Sequence, residues 1–279
     1  MTKRLLHFCR LWHICNEPNK NIKRGFTLVE LSIVLVIIGL IVASVLVGQD
    51  LIRQAELRAS ITQYEQFNAA ANTFRTKYGQ LPGDIYNGST FFSGASNGDG
   101  NGLIGSSASS AATATMATET LYFWDHLDAG AAALIPGTYT VGTASLGITF
   151  PKAKIGQGWG VYSNSVASNI NYYILGASNN NSAVYAVTNV LNPLDARSID
   201  LKVDDGLPLV GHTQARATGA GDPEAGGPFT ALTFTATAGT TTACVLGSGG
   251  AYGAANRGGY TYNVQNAVVT CALRMRMYY

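Results

Sequence analysis

Between Phe26 and Val47 the chain is apolar at almost every position, and Glu30 is the one charge in that run of 22 residues. As a helix the run would span about 33 Å, enough to cross the hydrocarbon core of a bilayer. The pattern then changes without a break. Leu51, Ala55, Ala59, Tyr64, Phe67, Ala71, Phe74 and Tyr78 recur at helical spacing, with Asp50, Arg53, Glu56, Arg58, Glu65 and Arg75 between them. No proline intervenes between Gly25 and Pro82. The pattern predicts one helix from Phe26 to Tyr78, apolar all round over 26–47 and amphipathic beyond, with Gly79 as C-cap and Pro82 as stop.

After Tyr78 the periodicity is lost. Ser, Thr, Gly, Asn and Ala dominate, broken by short β-branched and aromatic runs. Tyr172–Leu175, Ala183–Val187, Phe229–Thr237 and Tyr260–Leu273 read as strands. Glu119–Leu127 and Asp195–Val203 read as short helices. The expected fold class is α+β, with the distal half of the long helix packed on an antiparallel sheet. Three segments follow: a leader at 1–25, the helix at 26–78 with 26–47 as its transmembrane part, and a β-rich head at 79–279.

Charge sharpens the division. Through Gly25 there are six Lys and Arg against one acid, and beyond it twelve against fifteen. The basic excess belongs to the leader, and nothing in the head predicts a nucleic-acid surface. Lys20, Lys23 and Arg24 stand just before the apolar run with no matching cluster after it, which places the N-terminus in the cytoplasm. No small-residue cleavage pattern follows the run cleanly. The polar-to-apolar boundary lies instead at its start, after Gly25. Of four cysteines, Cys9 and Cys15 fall in the leader. Removing it leaves Cys244 and Cys271, which fit one disulfide in an oxidising compartment or two buried thiols.

The stretch Lys23-Arg24-Gly25-Phe26-Thr27-Leu28-Val29-Glu30 resembles the processing site of type IV prepilins and type II secretion pseudopilins. The resemblance covers roughly the first 60 residues. It implies that a membrane prepilin peptidase cuts between Gly25 and Phe26 and methylates the new amine of Phe26. It also implies that Glu30 pairs with the amine of a neighbouring subunit, which makes an otherwise costly carboxylate in hydrocarbon favour assembly. The competing reading is a Glu that snorkels to the interface beside a simple anchor. The leader is longer than that of many type IVa pilins, and the proline common near the end of the apolar run is missing. Gly39 and Gly48 are its weak points as a helix.

The function implied is a structural subunit of a type IV pilus-like filament. The alternative is a pseudopilin of a type II secretion pseudopilus, and a third reading is a membrane-anchored adhesin that never polymerises. Partners implied are other pilin or pseudopilin subunits, the peptidase, the inner-membrane assembly platform and the membrane itself. The chain would sit in a bacterial inner membrane as a single-pass protein, head in the periplasm, before joining an extracellular pilus or a periplasmic pseudopilus. The resemblance further implies that a disulfide between Cys244 and Cys271 bounds a surface loop, with Ala251–Gly259 exposed.

The chain is not expected to be an enzyme: it has no P-loop, no G-x-S-x-G and no His-rich metal spacing. His126 and His212 stand alone and read as packed or exposed. No cofactor is required, and calcium is the one candidate. Asn97, Asp99 and Asn101, with Gly102 and Ile104, match the first part of a calcium loop, but Ala108 stands where an EF-hand has Glu. Such a loop needs Asp84 or another acid to fold in; otherwise it is a polar turn. Leu81-Pro82-Gly83-Asp84 and the Asp204-Asp205 pair read as turns.

Overall fold

The structure is a computed structural model that describes residues 25–105, 116–128, 130–142, 145–164, 170–177, 190–216, 244–246 and 259–279. The described residues divide into two compact units between Leu51 and Ile52.

Helix α1 runs Leu28–Tyr78. It starts two residues later than the apolar pattern predicts, because Thr27 and Glu30 close its first turn. The Thr27 hydroxyl accepts from Glu30 N–H at 3.2 Å, and Glu30 Oε2 accepts from Thr27 N–H at 2.8 Å. This reciprocal capping box satisfies two donors that a helix start leaves orphaned. Along the first unit the side chains of α1 are almost all exposed, from Leu28 through Leu46 and Val47. Among the described residues α1 is the one helix long and apolar enough to cross a membrane.

In the second unit α1 becomes one-sided. Leu57, Ser60, Tyr64, Phe67, Asn68, Ala71 and Phe74 are buried, the three-and-four spacing of a single helical face. Gly79 ends the helix at φ +78°, its N–H still donating to Arg75 O. The short α2 (Gly88–Phe91) and α3 (Met116–Leu127) follow.

The main sheet is built from β1 (Gly158–Asn164), β2 (Ile170–Ala177), β3 (Thr213–Arg216) and the C-terminal Ala272–Arg276. Between β2 and β3 lies α4 (Pro193–Val203). Between β3 and the C-terminal strand lies a separate two-stranded ribbon, β4 (Val245–Leu246) with β5 (Thr261–Tyr262). With the C-terminal strand as β6, the order is β1-β2-β6-β3, antiparallel throughout. The α+β architecture is pilin-like: a long N-terminal helix and a four-stranded antiparallel sheet.

One face of the sheet carries Trp159, Val161, Tyr173, Leu175, Leu273 and Met275 into the core beneath α1 and α3. Aromatic rings weld the layers. Phe67 of α1 meets Trp124 of α3 and Trp159 of β1 edge-on at 4.9 and 5.9 Å, and Tyr64 meets Tyr173 at 5.7 Å. The opposite face holds Tyr162, Tyr172 and Ile174. There Arg274 is buried, its Nη1 donating to Tyr162 Oη, two further N–H groups donating to Gln214 Oε1, and its plane over the Tyr172 ring.

Several expected elements shift. Tyr260–Leu273 is not one strand: β5 and β6 are separated by a turn in which Asn266 N–H donates to Asn263 O and Val268 N–H donates to Asn266 Oδ1. β6 then continues to Arg276. The glycines of Gly-Trp-Gly-Val-Tyr hide β1, and the polar Thr-Gln-Ala-Arg of β3 has no apolar alternation to show. Helix α4 begins before Asp195, since Asn192 caps it by accepting from Asp195 N–H and Pro193 fills its first turn. The strands expected at Ala183–Val187 and Phe229–Thr237 lie outside the described residues.

Candidate functional site

Gly25 and Phe26 precede α1 in non-helical backbone, and both are exposed. Among the described residues nothing stands within 4 Å of where a Cβ on Gly25 would be. The Gly25–Phe26 peptide bond therefore lies just outside the first helical turn. Glu30 is exposed and engaged in the capping box with Thr27. In the sequence, Glu30 reads as a carboxylate that pairs with a neighbouring amine or snorkels to the interface, not as a cap. The Thr-x-x-Glu spacing, an N-terminal cap signal, was there to be read as well.

Cys244 and Cys271 are disulfide-bonded, with Cα atoms 5.2 Å apart and a sequence separation of 27. The bond joins the β4–β5 ribbon to the chain entering β6. Cys271 is fully buried, and its carbonyl accepts from Val190 and Leu191 N–H. Within the loop between the cysteines, residues 247–258, which take in Ala251–Gly259 save for its last residue, lie outside the described residues.

A second constellation forms where α1 ends. The turn Leu81–Asp84 and the loop 97–105 touch backbone to backbone. Gly98 N–H donates to Ile85 O and Gly100 N–H to Asp84 O, each at 2.8 Å. A Cβ on Gly98 would stand 2.4 Å from Gly83 O, and one on Gly83, at φ +83°, would stand 2.5 Å from Glu119 O. Only glycine permits either approach. Asn171 of β2 pins the far side, its Oδ1 accepting from Ile104 N–H and its Nδ2 donating to Gly102 O. His126 of α3 pins the near side. Its Nδ1 accepts from Gly83 N–H at 2.9 Å and its Nε2 lies 3.0 Å from Ser96 O, so the proton sits on Nε2. The ring stacks on Phe74, and burial pulls its pKa down to about 4.

This arrangement brings Asp84, Asp99 and Glu119 together, with one oxygen from each within 4.8 Å of the others. Asp84 and Glu119 are buried, and Asp99 is exposed at the mouth. Glu119 Oε1 accepts from Asp99 N–H and Oε2 from Gly105 N–H. Asp84 Oδ2 accepts from Gly102 N–H, while Oδ1 is buried without a hydrogen-bond partner among the described residues. Burial, with neighbouring acid, pushes the Asp84 carboxyl up to about 6 and that of Glu119 up to about 7. Asn101 sits beside Asp99, donating to it from its backbone and its side chain. Asn97 is turned elsewhere, its Oδ1 accepting from Ser89 N–H at the start of α2. Sequence reasoning found Asp99 and Asn101, and named Asp84 as the acid that would have to fold in. It missed Glu119, whose only signal was its place as an acid in the first turn of a helix.

The Asp204–Asp205 pair lies with Asp200 in another acidic group. Asp204 Oδ2 accepts from His212 and Thr213 N–H, Asp205 from Leu207 N–H, and Asp200 from Tyr262 Oη. The first two are turn caps, as the sequence predicts.

Comparison with known proteins bears on the N-terminal segment. No curated protein and no solved structure matched the chain. The family described as "Prokaryotic N-terminal methylation motif" matches residues 20–46. The matched span takes in the basic residues, the Gly25–Phe26 bond, Glu30 and nearly all of the apolar run. Together with the single apolar helix it fits anchoring in an inner membrane. Residues 20–46 are thus the prepilin-type signature of type IV pilins and pseudopilins, and they support a protein of that class.

Proposed function

We propose that this chain is a structural subunit of a type IV pilus-like filament, processed by a prepilin peptidase at Gly25–Phe26 and N-methylated on Phe26. The observation that carries the reading is the methylation motif at residues 20–46, placed on an exposed, non-helical bond directly before an apolar helix with one acid near its start. Cleavage would leave a cation on Phe26 four residues from Glu30. In hydrocarbon each charge costs a few kcal/mol, and pairing between neighbouring subunits recovers much of that cost. Assembly with like subunits is thereby favoured over the isolated anchor. The chain itself would perform no catalysis; the peptidase and the assembly platform of the inner membrane would supply the work. The N-terminus would face the cytoplasm and the head the periplasm before assembly.

The large head closed by a disulfide favours an exposed pilus over a periplasmic pseudopilus. N-terminal sequencing and intact mass of the chain from sheared surface filaments and from envelopes test both steps. A chain beginning at methylated Phe26 in the sheared fraction is the expected result. The same processed chain confined to the envelope would point to a pseudopilus, and an unprocessed Met1 start would end the filament reading. Glu30→Ala should abolish filaments while leaving the chain membrane-bound. Undiminished function in that variant would identify a non-polymerising anchored module.

A further inference from the structure

We propose that Asp84, Asp99 and Glu119 form a calcium-binding site that locks the loop 97–105 onto the junction between α1 and α3. The inference does not depend on whether the chain forms filaments. Two oxygens bound to one calcium ion at about 2.4 Å can be at most about 4.8 Å apart. The three carboxylates meet that limit, with one oxygen of each within 4.8 Å of the others. The second observation is a vacancy in the hydrogen bonding. Asp84 is 2% exposed and is the deepest member of the cluster, yet its Oδ1 has no partner. Buried carboxylate oxygens in native proteins are almost always satisfied, by a donor or by a cation. Among the described residues none donates to it with hydrogen-bond geometry, and none of the three acids pairs with Lys or Arg.

The surroundings are rigid enough to hold an ion. The loop is tied to Asp84 and Ile85 by backbone bonds, to β2 through Asn171, and to Glu119 through two N–H groups. Asp99 is exposed, so the site opens to solvent on the side of that ligand. The donors are all oxygen, which selects a hard cation. Magnesium demands a tighter octahedron and gives up its water reluctantly, whereas calcium accepts irregular carboxylate sets. The ligand set differs from a linear calcium loop: Asp84 and Glu119 come from the flanking turn and helix, and Asn97 takes no part. Bound calcium would neutralise charge that otherwise opposes closure of the loop, and would join three segments far apart in sequence.

The test uses the full chain in detergent, stripped with a chelator, then titrated with calcium chloride by calorimetry and melted with and without the ion. We expect one saturable site with sub-millimolar affinity and a Tm that rises with calcium. Asp84→Asn and Glu119→Gln should each weaken binding by at least ~10-fold. Asp84→Asn removes a buried charge whose Oδ1 accepts no hydrogen bond among the described residues, so it should not lower the Tm measured in chelator. Glu119→Gln gives up one of two acceptors for backbone N–H groups, and its Tm in chelator should fall. Asp99→Asn, on the exposed loop, serves where either buried variant fails to fold, and should weaken binding similarly. Asp205→Asn, in the other acidic group, should leave affinity unchanged. No heat and no Tm shift at millimolar calcium would overturn the proposal. So would binding that survives the Asp84, Asp99 and Glu119 variants or disappears in Asp205→Asn.

Discussion

Protonation of His126 should withdraw stability from the head as pH falls, and the size of that contribution follows from its surroundings. The imidazole is fully buried between Phe74, Phe92 and Tyr122, and its Nδ1 is already occupied as an acceptor by Gly83 N–H. A proton on Nδ1 would face that N–H head-on and charge a ring that has lost its water. Asp128 is the one charge that favours protonation, and it does not offset burial. The pKa falls from 6.5 to about 4. The folded state therefore binds fewer protons than the unfolded state between these values. Stability rises with pH across that window and is lost as pH falls through it. At about pH 5 the unfolded imidazole is almost wholly charged, while the folded one is roughly one-tenth charged. The gap is then about 1.5 pH units, or roughly 2 kcal/mol relative to pH 7.5.

Asp84, Asp125, Glu119 and Asp200 act in the opposite sense. Their carboxyls are raised to about 6, 6, 7 and 7, so they withdraw stability as pH rises. The His126 contribution is isolated by difference. Urea unfolding in chelator, followed by the fluorescence of buried Trp124 and Trp159, would be compared for the wild type and His126→Gln from pH 7.5 to 4.5. The wild type should lose about 2 kcal/mol more than the variant over the upper part of that range. Parallel profiles, or an imidazole that titrates at 6 or above in the folded chain, would refute the reasoning.

Replacing both Cys244 and Cys271 by Ala should cost about 3.5 kcal/mol, from loop-closure entropy for the span between them, read as a lower urea midpoint with altered slope. Gly83→Ala should destabilise by at least about 2 kcal/mol, since its new Cβ meets the Glu119 backbone, which cannot swing aside. Gly79→Ala, equally left-handed but in open space, should cost only about 1 kcal/mol, and equal losses in the two melts would contradict this distinction. Arg53→Ala removes two bonds to Asp195 Oδ2 from a side chain 38% exposed, and should cost about 1–2 kcal/mol with Asp195 left buried.

Local chemistry explains what could be read directly from the residues. The long helix is legible because an apolar run without proline has few other places to go, and its cap and stop are local signals at Thr27, Glu30, Gly79 and Pro82. The methylation motif is legible for the same reason: a peptidase reads a short linear stretch. The paired cysteines could be named, since removal of a leader leaves two. Strands were harder. β2 shows as a run of apolar and aromatic residues, but β1 carries glycines and β3 is polar, and both are strands because their neighbours supply hydrogen bonds. Tyr260–Leu273 has strand-like residues throughout, yet the Asn263 carbonyl and the Asn266 side chain take N–H groups into a turn and break it.

The acidic site divides in the same way. Asp99 and Asn101 lie in a stretch whose spacing speaks for itself. Glu119 joins them only because two glycines let the Pro-Gly turn, the loop and the first turn of α3 come into backbone contact. His126 looked like a lone histidine in an amphipathic helix, and its low pKa exists only where Phe74, Gly83 and Ser96 surround it. The sequence alone determined the membrane-length helix, the methylation motif and the class they support, since each depends on residues close to one another along the chain. Tertiary structure decided the strand order, the environment of His126 and the gathering of Asp84, Asp99 and Glu119. Burial, desolvation and convergence are properties of segments that meet in space, and no local pattern carries them.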